Sequence, residues 1–270
     1  MRQFRAMLSA RLLFTLLPTL ALGSGLVLEL MTTLTPGLGL KPETQVQASS
    51  YRNYRPPSSS RPPRRTTAGG TRGGCSGDAA INLTALAPQG HSGQTAASHP
   101  TLTWFLADQA PYPLELQLYR YIGEDTQDDR LEPVSSFDLG KSQPGYHRFT
   151  LPASLAPLQP GQFYRWKLVL KCEPGRPSKN QIAEADLQVV PASSPMATAT
   201  ASNPVDRSAH FIDLGLWYEA IASLSEPSVT PSVAAYRRLL LENLAALEAE
   251  NPEDSKTNFS DALRYIATQN

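Results

Sequence analysis

The sequence predicts a mainly β fold, antiparallel strands in two layers, followed by a small α-helical segment. Three observations predict it. Apolar and polar residues alternate with a period of two through the middle of the chain, turn residues separate the alternating runs, and the spacing becomes helical after residue 205.

Arg2, Arg5 and Arg11 accompany a run from Leu12 to Leu28 that carries no charge and is interrupted by Pro18, Gly23 and Gly25. A positive stretch followed by an apolar one is the pattern of a secretory signal peptide, so export to a periplasmic or extracellular space is expected. The run lies at the short end of the membrane-spanning range, and an uncleaved anchor is the alternative. Small residues suited to cleavage occur at Ala21-Leu22-Gly23 and at Val46-Gln47-Ala48. Residues 1–48 are therefore read as the signal region, cut after Gly23 or after Ala48.

Residues 49–74 read as a Pro-, Arg- and Gly-rich disordered linker. Arg55-Pro56-Pro57 and Arg61-Pro62-Pro63-Arg64-Arg65 lie within it, and no acidic residue does. Such composition favours an extended spacer whose arginines are solvated or touch a polyanion. The chain as a whole has 24 basic and 24 acidic residues, a balance that argues against a nucleic-acid binder. Cys75 and Cys172 are the two cysteines. An even count in an exported chain favours a disulfide, here closing a loop of about 100 residues and stabilising by ~4–5 kcal/mol in the chain-entropy model.

Residues 75–191 read as strands. Leu102, Trp104 and Leu106 share one face of the run 100–106, with threonines on the other. Leu114, Leu116 and Leu118 alternate with polar residues in 112–119. Tyr164, Trp166, Leu168, Leu170 and Cys172 face inward in 162–172, and Arg165, Lys167 and Lys171 face outward. One polar and one apolar face mark antiparallel sheet exposed on one side. Weaker strands are expected at 80–86, 132–140, 145–151 and 182–190. This spacing is that of an immunoglobulin/fibronectin III-like antiparallel β-sandwich. Leu158, Pro160 and Gly161 form a turn ahead of Tyr164, as in a tyrosine corner, where the hydroxyl bonds back to the corner backbone. Cys75 precedes the first strand and Cys172 ends a late one, so their disulfide is expected to tie the entry of the chain to the sandwich.

Residues 192–204 form a second linker, rich in Ala, Ser, Thr and Pro. The segment 205–270 is helical. Asn203-Pro204 starts a helix carrying Ile212, Leu216, Ala220 and Leu224 at helical spacing, with Trp217 and Ile221 beside them, and Glu226-Pro227 stops it. Thr230-Pro231 starts another, with a stripe of Val233, Tyr236, Leu240, Leu244 and Leu247, ended at Asn251-Pro252. A third uses Phe259, Leu263 and Ile266. Their apolar stripes must be buried against each other, the sandwich or a partner protein.

Several motifs agree in order with a known family. Pro62-Pro63-Arg64-Arg65 leads to Gly69-Gly70-Thr71-Arg72-Gly73-Gly74-Cys75, then Leu83-Thr84-Ala85-Leu86-Ala87-Pro88 and Pro100-Thr101 before Trp104-Phe105. Leu114-Glu115-Leu116, Pro144-Gly145, Leu151-Pro152, the run Leu158 to Cys172, Pro174 and Asn180 follow. Together with Leu216-Trp217-Tyr218, this order resembles the domain of unknown function 928 family of cyanobacterial proteins, over roughly residues 60 to 250. The resemblance implies an exported envelope protein and brings no catalytic residues to carry over. Leu187-Gln188-Val189-Val190 departs from the final strand the family pattern leads one to expect.

The reactive residue types fall into no catalytic or ligand-binding pattern. None of His91, His99, His147 and His210 has metal-ligand spacing to a Cys or another His, and His91 and His99 read as surface-loop residues flanking a polar stretch. The glycines at 69–70 and 73–74 lack the Lys-Ser/Thr of a phosphate loop. The acidic run 124–132 lacks the alternating order of a calcium loop and reads as a solvated hairpin tip. No cofactor or metal is expected. Two functions follow. One is a non-enzymatic envelope protein, a protein-interaction or scaffolding module presenting loops or an edge strand to a partner. The other is carbohydrate binding or processing, suggested by Tyr119, Tyr121 and Phe163 on outer faces. The partner is accordingly an envelope protein or a polysaccharide and not nucleic acid, with membrane contact only through an uncleaved signal segment.

Overall fold

The computed structural model describes residues 51–58, 75, 77, 79, 81–122, 130–192, 203–225, 229–252, 254 and 258–269. The signal region, most of the 49–74 linker, most of the 192–204 linker and the acidic run up to residue 129 lie outside the described residues.

The strands are β1 (Thr84–Ala85), β2 (Gly93–Thr95), β3 (Thr101–Leu106), β4 (Pro113–Tyr121), β5 (Leu131–Lys141), β6 (Gly145–Thr150), β7 (Phe163–Leu170) and β8 (Gln181–Val189). They form a three-stranded sheet in the order β1-β3-β6 and a five-stranded sheet in the order β2-β8-β7-β4-β5. The helices are α1 (Pro204–Asp213), α2 (Trp217–Ser223), α3 (Pro231–Ala249) and α4 (Phe259–Ala267). Among the described residues no helix is long and apolar enough to cross a membrane.

Alternation explains the five-stranded sheet. Leu114, Leu116 and Leu118 of β4 and Trp166, Leu168 and Leu170 of β7 are essentially sealed from solvent. Register places Leu116 opposite Leu168 and Leu118 opposite Trp166, so the apolar rows coincide. Each such side chain contributes about 1.5–3 kcal/mol of burial. The expected purely antiparallel arrangement is corrected at one edge, because β2 runs parallel to β8, pairing Gly93 with Leu187 and Thr95 with Val189. The sheet is mixed because the chain, after pairing Thr84 and Ala85 in the three-stranded sheet, supplies its next short run to the edge of the other.

The three-stranded sheet also departs from expectation. Thr103 is 1% exposed, where the threonine face of β3 was expected to meet water. Helices cover that face. Phe105 packs edge-on to Tyr146 of β6 at 5.0 Å. The Tyr146 hydroxyl donates to the Ile266 carbonyl at 2.6 Å, and the Arg237 guanidinium of α3 lies 3.7 Å from the Tyr146 ring centroid. Sheets and helices thus share one hydrophobic core, and the helical stripes are buried within the chain itself.

The helices begin where capping chemistry dictates. Asn203 accepts from the Val205 N–H and Thr230 from the Val233 N–H, each followed by proline. Helix α2 reaches into the edge between the sheets. Trp217 donates its indole N–H to the Leu86 carbonyl at 2.9 Å. The Tyr218 hydroxyl accepts from Trp166 at 3.0 Å and donates to the Asp186 carbonyl at 3.1 Å. Gly215, which turns α1 into α2, has φ +73°, and a Cβ there would meet Pro57 at 2.7 Å.

Candidate functional site

Cys75 and Cys172 are joined, with their Cα atoms 5.1 Å apart. The Cys75 N–H donates to both carboxylate oxygens of Asp108 at 3.1 Å, which fixes the entry of the chain beside β3. Leu158 is buried, and Gly161 takes φ +83° in the Pro160-Gly161 turn. The Tyr164 hydroxyl accepts from the Gln159 N–H at 3.0 Å. These residues order the start of β7.

Two places differ from the sequence reading. The stretch 51–57, read as part of a spacer, lies against the helices. Tyr54 is 1% exposed, packs edge-on to Trp217 at 4.9 Å and stacks on His91 at 5.6 Å. The Tyr236 hydroxyl donates to the Arg52 carbonyl and accepts from the Arg52 N–H. His91 is correspondingly buried, not a surface-loop residue, and burial pushes its pKa down to about 4. The only sequence signal for this contact was a pair of tyrosines, Tyr51 and Tyr54, in a stretch dominated by Arg, Pro, Ser and Gly.

Chemistry gathers on the outer face of the five-stranded sheet. Arg165 of β7 makes a two-pronged pair with Asp186 of β8, at 2.7 Å and 3.0 Å. Tyr121 of β4 donates to the same carboxylate at 2.9 Å. Glu184 receives Lys167 at 3.2 Å and Arg165 at 3.5 Å. Burial works against the charged guanidinium of Arg165, but the hydrogen bonds and charge of Asp186 outweigh it and raise its pKa. Burial and the neighbouring Asp186 charge push the Tyr121 phenol up. The charges hold one another in place, as a desolvated ion pair requires.

This network bears on the outer tyrosines. The Arg165 guanidinium sits 5.5 Å from the Tyr121 ring centroid and the Lys167 ammonium 5.6 Å from that of Tyr119. Each aromatic ring thus already faces a cation. The Tyr119 hydroxyl donates to Gln117, whose amide donates to Glu115. Glu115 also accepts from Lys171 at 2.7 Å and from Ser136 of β5 at 2.8 Å. Hydrogen bonds from Lys171, Gln117 and Ser136 lower the Glu115 pKa to about 2.

Ser136 leads to the sheet edge. Among the described residues β5 pairs with β4 alone. It runs from Leu131 to Lys141, and seven of its residues, including Val134, Ser136 and Asp138, are exposed. Helices touch the other edge strands at single points. Glu219 of α2 takes the N–H groups of Ala96 and Ala97 just after β2, Trp217 holds the backbone just after β1, and β6 meets α4 through Tyr146. On β5, Pro133 lacks an N–H, and register slips occur beside Leu118/Tyr119 and Pro113/Glu115, features that limit indiscriminate pairing. Between the two slips Ser135 to Asp138 keeps one register with β4 and carries one charge, Asp138.

Among the described residues no group of three or more His, Cys, Asp or Glu could hold a metal ion. Residues 67–251 match the family model described as Domain of Unknown Function (DUF928). None of the curated proteins matches the chain. Among solved structures, the chain is similar to the third fibronectin III domain of the human KIAA0343 protein, at 7% identity and TM-score 0.25, over 49% of this chain and 94% of that one. It is similar to astrotactin-2, described as a conserved vertebrate-specific, perforin-like membrane protein involved in neuronal development, at 13% identity and TM-score 0.26, over 64% of this chain and 34% of that one. Both likenesses are low, and the fold description rests on the strand pairing alone.

Proposed function

The chain belongs to the Domain of Unknown Function (DUF928) family, and we propose that it is an exported, non-catalytic protein-interaction module that takes an extended segment of an envelope protein onto the edge of β5. The single observation behind this reading is an 11-residue strand paired on one side among the described residues, while the other edge strands are shorter, at two, three and six residues. Strand addition supplies main-chain hydrogen bonds for affinity and alternate side-chain positions for selectivity.

The finer fold supports it. The two sheets, with their apolar rows in one core, are read as an immunoglobulin/fibronectin III-like sandwich whose parallel β2 is an added edge run. Export is supported by the apolar N-terminal run behind Arg2, Arg5 and Arg11 and by the Cys75–Cys172 disulfide, which suits an oxidising compartment. The non-catalytic reading is supported by how the buried carboxylates are used. Asp186 holds Arg165 and Tyr121, and Glu248 accepts the Gln89 and Gly90 N–H groups. Each serves the architecture. The carbohydrate reading loses its ground at Tyr119 and Tyr121, whose rings already face Lys167 and Arg165.

The test is capture from an envelope extract with the mature chain and two proline variants, Ser135→Pro and Ser136→Pro, at neighbouring positions in regular register with β4. Adjacent strand residues direct their N–H groups to opposite sides. One variant therefore removes a bond to β4 and lowers the melting temperature, and the other removes an outward donor and lowers capture at unchanged stability. No partner at any salt concentration, or equal capture by both variants, sinks the reading.

A further inference from the structure

The side-chain rows of the five-stranded sheet stop at β5, and what they present there limits what can be added. One row crosses β8, β7, β4 and β5 through Ala183, Leu168, Leu116 and Phe137. Its first three members are buried, whereas Phe137, the last, is half-buried. The Phe137 ring meets that of Phe149, on β6 of the other sheet, at 5.2 Å. Phe149 is half-buried too and lies opposite the sealed Leu102. The two rings therefore span the gap between the sheets on the β5 side, and one flank of the pair is open.

The residues on either side of this row point to the other face, which is polar at the edge. Gln117 leads to Ser136, and Glu115 leads to Asp138. Charge there is unbalanced. Lys171 lies within electrostatic reach of both Glu115 and Asp138, but its ammonium sits on Glu115 at 2.7 Å. Arg120 is taken by Glu132, and Lys141 stands beyond the register slip. Asp138 accepts from the Gly140 N–H at 2.9 Å and is exposed. Two carboxylates thus share one lysine, and the excess negative charge is at Asp138, on the edge strand itself.

We propose that the segment received by β5 alternates apolar and basic residues, with a branched apolar side chain opposite Phe137 and, immediately beside it, a lysine or arginine opposite Asp138. The inference rests on strand addition at this edge and narrows its partner. Residues directly opposite one another in adjoining strands share a face, with Cβ atoms about 4.5–5.5 Å apart. The residue opposite Phe137 therefore covers the open flank of the Phe137–Phe149 pair and takes apolar surface from water. Its neighbour turns to the other face, where a cation meets Asp138. A segment with its apolar residues in one block puts half of them on the polar face, so alternation is required.

Short end-blocked peptides test it, by fluorescence anisotropy with the mature chain. The probes are alternating valine and lysine, alternating valine and glutamate, alternating threonine and lysine, and the valine–lysine composition arranged in two blocks. The chain has no net charge, so general attraction favours neither sign. The alternating valine–lysine peptide binds tightest, and the threonine–lysine and block peptides bind about tenfold more weakly. Phe137→Ala removes the preference for valine over threonine, and Asp138→Asn removes the preference for lysine over glutamate. Melting temperatures show that both variants remain folded. Binding is lost in whichever proline variant of β5 lowers capture, which puts the peptide on the edge. Equal binding of all four peptides, preferences that persist in both variants, or no binding of any peptide at millimolar concentration overturns the inference. Strand addition itself is judged separately, by capture from the envelope extract, and a partner captured there without an alternating apolar and basic segment sinks the inference alone.

Discussion

The hydroxyl of Tyr54 lies 2.8 Å from Nε2 of His91, and the two rings stack. This pair fastens the stretch 51–57 to the rest of the fold, with Trp217 edge-on to the same tyrosine. The fold therefore begins upstream of the family-matched residues 67–251. Tyr54→Ala is expected to cost about 3–5 kcal/mol, the loss for a large buried aromatic. Tyr54→Phe keeps the packing, leaves His91 Nε2 without its partner and costs about 1–2 kcal/mol. Urea unfolding of the two variants separates packing from hydrogen bonding. A stable, unchanged Tyr54→Ala protein would show that 51–57 is not part of the folded unit.

His91 makes stability depend on acidity. Its folded pKa, about 4, lies below the ordinary 6.5 because burial penalises the imidazolium. The unfolded chain therefore takes up the proton first. Stability is fully present above about pH 6.5 and declines as the pH falls toward 4, by up to ~3 kcal/mol. Tyr54 faces the ring, and burial, with the charge of Glu248 of α3 second to it, pushes the Tyr54 pKa up. Burial raises the pKa of Glu248 itself, so its contribution has the opposite sign, lost as the pH rises through its folded value. Subtracting the pH–stability curve of His91→Gln from that of the wild type removes the Glu248 slope. The difference should fall steadily between pH 6.5 and 4, and a flat difference refutes the assignment.

Much of the framework was legible because it is local. The runs 100–106, 112–119 and 162–172 became β3, β4 and β7 nearly to the residue, since alternate leucines with polar neighbours leave one viable orientation. Asn203-Pro204 and Thr230-Pro231 marked helix starts because a cap needs only its next few residues. What failed depended on distant partners. Gly93-Gln94-Thr95 has no apolar residue and is buried by distant parts of the chain, the Tyr218 ring crowding Gly93 and Glu219 bonding Thr95. The polar face of β8 was readable, but not that Glu184 and Asp186 are sealed there, nor that β5 ends a sheet. Strand order and burial of charge belong to long-range pairing, of which alternation carries no record.

The disulfide supplies a prediction that needs no partner. It links residues 97 apart in sequence and anchors the entry of the chain beside Asp108. In the chain-entropy model, cutting it costs ~4–5 kcal/mol by enlarging the unfolded ensemble. Cys75→Ser with Cys172→Ser should therefore lower the urea midpoint, as should reductant added to the wild type, while reductant leaves the double variant unchanged. A midpoint that ignores both treatments contradicts the assignment.

The Arg165–Asp186 pair separates two meanings of a buried charge. Asp186 is 2% exposed and Arg165 7%. Removing the carboxylate alone, in Asp186→Ala, strands the guanidinium and takes the acceptor from Tyr121, with an expected cost of about 3–5 kcal/mol. Replacing both, in Arg165→Met with Asp186→Leu, removes the stranded charge, so the double variant should be more stable than Asp186→Ala although it lacks more of the native network. Thermal unfolding gives the order directly. Should the double variant prove less stable than Asp186→Ala, the pair would be a net source of stability, and its role as a rigid support for β4 beside β5 would gain an energetic basis. Capture of the partner by the double variant then distinguishes the two. Retained stability with reduced capture assigns the network to fixing the β5 edge, and retained stability with full capture assigns it to the sheet alone.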